Sequence, residues 1–184
     1  MSRILVIFSF MIVLISCRGE DSIPKPAAYL RLEYPPHAYE KFDEKFPFVF
    51  EKSVYARTEI TSDTTFNLHY PLMKARFYFT YSPVKNNLEQ LLVDAEKLTY
   101  KHAVKADDFY YEDFANPKKN VYARINYVTG NAASPLQFHV TDSMHHFVTG
   151  SLYFRAVPNY DSIRPPLEYL KNDVKHMIET WQWK

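Results

Sequence analysis

Ala75-Arg76-Phe77-Tyr78-Phe79-Thr80-Tyr81-Ser82 decides the fold. Its alternation puts Phe77, Phe79 and Tyr81 on one face and Arg76, Tyr78 and Thr80 on the other, the period-2 pattern of a strand with one face buried. Three later segments repeat it. Val121–Tyr127 groups Val121, Ala123, Ile125 and Tyr127. Pro135–Thr141 turns Leu136, Phe138 and Val140 inward and leaves Gln137, His139 and Thr141 on the outer face. His146–Val157 aims Val148, Leu152, Phe154 and Ala156 at the core. Thr141–His146 joins the last two segments as a hairpin turn.

Two segments switch to helical spacing. Leu88, Leu91, Leu92, Ala95, Leu98 and His102 share one face, with Asn86 as N-cap and Glu89 three residues later. Ile163, Leu167, Leu170, Val174, Met177 or Ile178, and Trp181 form a second stripe, opposite Glu168, Lys171, Asp173, Lys175 and Glu179. Asp161 or Ser162 caps this helix, and Pro165 and Pro166 belong in or before its first turn. Strands joined by hairpins, with two amphipathic helices that need apolar partners, predict an α+β fold: an antiparallel β-sheet packed with two helices, an α/β sandwich. The layout is similar to that of Mog1/PsbP-like domains.

Fifteen tyrosines and fourteen phenylalanines stand against three glycines. Such a chain carries large aromatic groups on strands and has few loops able to cradle phosphate. With Gly19, Gly130 and Gly150 as the only glycines, neither a P-loop nor a dinucleotide fingerprint can be written. No Gly-x-Ser-x-Gly elbow surrounds a serine. His139, Asp142, His145 and His146 are suitable metal-ligand types around the hairpin. The outward position of His139 favours instead a polar turn with solvated imidazoles, and no metal or cofactor is expected. Asp107, Asp108, Glu112 and Asp113, interleaved with Phe109, Tyr110, Tyr111 and Phe114, could serve a glycan. The preferred reading is an exposed strand after the first helix with its charges on the wet side. Tyr78, Tyr122 and Tyr127 divide in the same way between ligand stacking and packing, with packing preferred. No catalytic residue is assigned.

At the start of the chain, Arg3 precedes the apolar run Ile4–Ile15, which is too short to span a bilayer comfortably and has the architecture of a secretory signal peptide. It ends at Leu14-Ile15-Ser16-Cys17, which resembles the bacterial lipobox, and Cys17 is the only cysteine. Acylation there and removal of 1–16 would leave 168 of the 184 residues. It would also remove every thiol-based function. Arg3 leaves with the peptide, so the remaining basic residues match the 21 acidic ones, and nothing argues electrostatically for nucleic acid. The multiple acyl chains of such an anchor hold a protein to a membrane without spanning it. Arg18–Ala28 is polar, contains Pro24 and Pro26 and reads as an extended spacer. The expected organisation is a signal peptide at 1–16, acylated Cys17 with a tether to 28, and one α+β domain over 29–184.

The densest run of specific polar residues is Gly130–Phe154, where Gly130-Asn131 supplies a turn and Ala132-Ala133-Ser134 are small enough for another backbone to approach. With Pro24-Lys25-Pro26, Tyr29-Leu30-Arg31-Leu32, Tyr100-Lys101-His102, Lys105-Ala106-Asp107 and Trp183-Lys184, this run resembles the gliding-motility lipoprotein GldD family of Bacteroidetes. The resemblance covers nearly the whole mature chain and the lipobox. It departs at Ala27-Ala28, where relatives often carry a basic residue before Tyr29. The resemblance implies a non-enzymatic envelope lipoprotein of the gliding-motility and linked type IX secretion machinery, anchored by lipid and facing the periplasm. Its partners would be the bilayer and other envelope proteins of that machinery, with no small-molecule substrate. A docking surface is expected at Asn131, Ala132, Ser134, Gln137, His139, Asp142 and His145. An envelope glycan- or peptidoglycan-binding module and a metal-assisted hydrolase are the alternatives.

Overall fold

A computed structural model of the chain describes residues 33–103, 106–155 and 160–184, with the side chains of 100–103 and 106 left aside. The expectations for the signal peptide, Cys17, the tether, the Tyr29–Leu32 motif, Lys105 and Ala156 lie outside those residues, and that for His102 falls on a side chain left aside. Tyr34–Lys184 forms one compact unit.

Ten strands and two helices are found among the described residues. Seven strands make one antiparallel sheet: β3 (Arg57–Ile60), β4 (Thr65–Tyr70), β5 (Ala75–Pro83), β6 (Ala106–Asn116), β7 (Val121–Gly130), β8 (Leu136–Thr141) and β9 (His146–Phe154), in the order β3-β4-β5-β9-β8-β7-β6. The chain builds β3 to β5 as a meander. It then crosses through α1 (Leu88–Ala103) to the far edge and returns as a second meander that brings β9 beside β5. A smaller sheet, β1 (Tyr39–Phe42), β2 (Phe48–Ser53) and β10 (Gln182–Trp183), lies with α2 (Tyr160–Thr180) over the inner face. The expected α+β architecture of antiparallel sheet and two amphipathic helices is present.

The alternations seen in the sequence sort onto faces as expected. Phe77, Phe79, Val121, Ala123, Ile125, Tyr127, Leu136, Phe138, Val140, Val148 and Leu152 are buried in one core. Against them pack Leu167, Leu170, Val174, Met177 and Ile178 of α2. Phe42, Phe46, Phe48 and Phe50 complete that core, with Trp181 stacked on Phe48 at 4.7 Å and on Phe50 at 4.8 Å. Each such side chain taken from water contributes about 1.5–3 kcal/mol.

Four local details differ from the sequence reading. Asn86 has a left-handed φ of 60° and sits ahead of α1; Asn87 is the cap, since its carbonyl accepts the first helical N–H from Leu91 at 3.1 Å. Helix α2 begins at Tyr160, so Pro165 and Pro166 lie inside it. Neither proline has an N–H to return to the carbonyls of Asp161 and Ser162. Both of those residues are exposed, where water can solvate the peptide oxygens. Strand β9 ends at Phe154. Asp173, placed on the polar side of α2, is fully buried, because the segment before β1 packs over that side.

Candidate functional site

The outer face of the large sheet carries polar residues where a solvated surface was expected. The register sets Tyr122, Arg124 and Asn126 of β7 opposite Thr141, His139 and Gln137 of β8, and those opposite Phe147, Thr149 and Ser151 of β9. Helix α1 lies across this face and buries its middle. Thr99 Oγ donates to Gln137 Oε1 at 3.1 Å and accepts from Asn126 Nδ2 at 3.5 Å. All three are buried.

The expectation of a solvated His139 is corrected by this layer: the residue is only 8% exposed, and its ring stacks on Phe147 at 5.4 Å. Burial, reinforced by the nearby Arg124 charge, lowers its pKa to about 4 and keeps the imidazole neutral at neutral pH. Arg124 makes a two-pronged contact to Asp113, at 2.7 and 3.0 Å, and lies over the Tyr111 ring at 4.3 Å.

Helix α1 covers the sheet incompletely. Its stripe residues Leu88, Leu91, Leu92 and Ala95 are only half-buried, and Leu98 is exposed. Grooves flank it on both sides. One of about 430 Å³ runs past Leu88, Leu92, Glu96, Tyr122, Arg124 and His139. The other, of about 460 Å³, is lined by Tyr78, Thr80, Leu98, Thr149, Ser151 and Tyr153, with the two tyrosine rings edge-on at 5.5 Å. Tyr122 and Tyr78 therefore face grooves. Tyr127 is a core residue, stacked on Tyr110 at 4.7 Å, with its hydroxyl donating to Glu112 at 3.3 Å.

The hairpin between β8 and β9 is organised by one carboxylate. Asp142 Oδ1 accepts backbone N–H groups from Met144 (3.0 Å), His145 (2.8 Å) and His146 (2.8 Å). Partial burial opposes charge on Asp142, but the three amides outweigh it and hold its pKa below the usual value. This turn exposes Met144 and His145. His146 points elsewhere: its Nδ1 lies 3.0 Å from the Tyr81 hydroxyl, and its ring stacks on Trp183 at 5.2 Å. The rings of His145 and His146 are neighbours at 6.1 Å, whereas His139 is buried against Phe147. Among the described residues no group of three or more His, Cys, Asp or Glu side chains is placed to hold a metal ion.

The expected docking residues divide between surface and interior. Asn131 is exposed, and its Oδ1 accepts the first N–H of α2, from Tyr160, at 3.1 Å. Asp142 is at the turn and His145 at its tip. Ala132, Ser134, Gln137 and His139 are buried, so they shape this region from beneath. Sequence reasoning missed the cluster around Asp173, whose Oδ1 lies 2.8 Å from His37 Nδ1 and accepts the Tyr39 hydroxyl at 3.2 Å. The polar residue types of α2 gave no sign of it, since the partners are some 135 positions away.

These features define an α+β unit with two outer grooves and an exposed hairpin tip. The sequence model of the gliding motility lipoprotein GldD matches residues 19–183, and the chain belongs to that family. It is accordingly a gliding-motility-associated lipoprotein, held by lipid at a membrane of the cell envelope. Among the described residues no helix is long and apolar enough to cross a membrane. No curated protein sequence matches the chain.

Proposed function

We propose that this protein is a non-enzymatic accessory or assembly component of the gliding-motility and linked type IX secretion machinery. Acylated Cys17 would hold it to the bilayer and Arg18–Ala28 would space the 29–184 domain from the surface, on the periplasmic side. The observation that carries the reading is the family match over residues 19–183, nearly everything after the lipobox. Of the polar stretch, Asn131 and His145 are exposed, near opposite ends of β8, and the half-buried Asp142 shapes the turn that presents His145. These positions offer contacts to another envelope protein. The test is a strain carrying Asn131→Ala, Asp142→Ala and His145→Ala, assayed for colony spreading, type IX export and recovery of crosslinked partners. Loss of these at normal protein level supports the reading; intact function with a folded triple variant removes those contacts.

A glycan-binding reading has one observation in its favour. The 460 Å³ groove combines two tyrosines with the hydroxyls of Thr80, Thr149 and Ser151 and contains no charged side chain. Failure of the purified protein to sediment with peptidoglycan would remove it.

A further inference from the structure

Strand β6 is the last strand of the large sheet, and among the described residues only β7 pairs with it. At the opposite edge β3 has four residues, whereas β6 has eleven, about twice the usual strand length. An open edge presents a row of backbone donors and acceptors, and proteins normally blunt it by shortness, charged side chains (lysine above all), proline or a bulge. The charges of β6 are all carboxylates, which repel a second copy of the strand but not a basic one. Ala106–Asn116 contains neither lysine nor proline. Its one register shift falls between Ala106 and Asp108, at the start of the strand. The Phe109 N–H is taken by the Asp108 carboxylate at 2.8 Å. From Tyr110 to Asn116 the pairing with β7 is regular, and Tyr110 and Tyr111 are exposed.

This edge is held in place from both faces. Glu112 pairs with Lys175 of α2 at 2.9 Å, and Tyr110 stacks on Tyr127 and accepts a hydrogen bond from Lys171 at 3.1 Å. On the other face Asp113 is fastened to Arg124, whose guanidinium covers Tyr111. A template fixed in this way loses little conformational freedom when a strand is added.

Charge selects the occupant. The strand has four carboxylates and no basic residue. Glu112 and Asp113 are ion-paired, whereas Asp107 and Asp108 have no ion pair among the described residues. A second copy docking antiparallel about Tyr110–Tyr111 would set Asp108 opposite Asp113, a like-charge pair that disfavours self-association. An incoming strand with lysine or arginine near Asp107 and Asp108 meets opposite charge.

We propose that β6 is the docking edge for an extended, basic segment of a partner protein, which adds as an eighth strand of the sheet. The inference rests on the reading above that the protein docks another envelope protein, and adds an edge distinct from Asn131, Asp142 and His145. The test uses full-length acylated protein in zwitterionic micelles and a ten-residue peptide of alternating lysine, valine and threonine, with a glutamate-for-lysine peptide as control. Hydrogen exchange of outward-facing amides between Tyr110 and Asn116 should slow roughly tenfold or more at saturation with the lysine peptide, and not with the glutamate peptide. Asp107→Lys with Asp108→Lys should abolish that effect without lowering the melting temperature. Tyr111→Pro, which obstructs the edge itself, should do the same if it folds.

Equal protection by both peptides, protection mapping to another strand, β6 amides already protected in the free chain, or dimerisation through β6 would each overturn the proposal. Cells separate it from the broader reading. Partner recovery lost in the Asn131, Asp142, His145 variant but kept in Asp107→Lys with Asp108→Lys leaves docking in place and refutes the edge. Recovery kept in both refutes the docking reading with it.

Discussion

His37 Nδ1 lies 2.8 Å from Oδ1 of Asp173, a fully buried carboxylate on α2. Around this contact the segment before β1 and one face of α2 interleave their rings. Tyr34 meets Tyr169 at 5.3 Å, Tyr169 stacks on His37 at 4.1 Å, and Tyr39 stacks on His176 at 3.6 Å. Tyr169, Asp173 and His176 are four and three residues apart, the spacing that puts helical side chains on one face. Burial raises the Asp173 pKa above its ordinary value, against the opposing pull of His37, Tyr70 and Tyr39.

This clasp should fail unequally when its parts are removed. His37→Ala takes away one donor and leaves the carboxylate buried, an expected loss of about 1–3 kcal/mol. Asp173→Ala removes the acceptor for both His37 and Tyr39 and leaves a void, and should cost more. Asp173→Asn retains the shape and an acceptor oxygen, and should cost less than Asp173→Ala. Urea unfolding midpoints measure all three. Equal midpoints for wild type and Asp173→Ala would show that the clasp does not hold this segment.

Gly150 of β9 lies opposite Phe138 of β8, and a Cβ at Gly150 would overlap the Phe138 ring. Gly150→Ala should therefore cost about 1–3 kcal/mol by overpacking. Phe138→Leu alone should also destabilise, by opening a void. Together they should lose at least about 0.5 kcal/mol less than the sum of the single losses, because the smaller side chain makes room for the methyl group. Strict additivity in a denaturation double-mutant cycle would contradict this packing.

Trp181 is buried against Phe48 and Phe50, and its indole Nε1 has no hydrogen-bond partner among the described residues. Trp181→Ala should cost about 3–5 kcal/mol. Trp181→Phe keeps most of the ring contact and deletes the unpaired donor, so its loss should be less than half of that. Calorimetric melting separates the two outcomes. Comparable losses would mean that the indole N–H contributes to stability after all.

The inner face was legible because alternation reports which residues share a side of a strand. Phe77 with Phe79 and Leu136 with Phe138 fell where expected. The same device was available in Phe46-Pro47-Phe48-Val49-Phe50 and in Phe66, Leu68 and Tyr70, which form the rest of that core. Strands β1, β3 and β10, of four, four and two residues, are too short to carry a period. Alternation cannot say whether the second face is wet. Gln137 and His139 were assigned correctly to the outer side, yet α1 lies over them. The Leu88–Leu98 stripe implied that a helix must cover something, without saying which strands. Asp173 was still less accessible to pattern reading, since its surroundings come from His37 and Tyr39, remote in sequence.

His139 gives the covering helix a signature in acid. Its pKa is lowered from 6.5 to about 4, chiefly by burial and then by Arg124. The unfolded chain therefore binds a proton over a range where the folded chain does not, and stability rises with pH across that range. The contribution is complete above pH 6.5, falls as the pH drops toward 4, and amounts to about 3 kcal/mol across the window. Other groups also titrate in acid, so the informative quantity is the difference between wild type and His139→Gln, which keeps a neutral polar side chain at every pH. The variant should lose stability less steeply than wild type between pH 6.5 and pH 4, with the two curves running parallel above pH 7. Urea unfolding at half-unit pH steps provides both curves. A difference that stays constant from pH 7 to pH 4 would mean that His139 takes up its proton as readily in the folded protein as in the unfolded chain, and that α1 does not keep water from it.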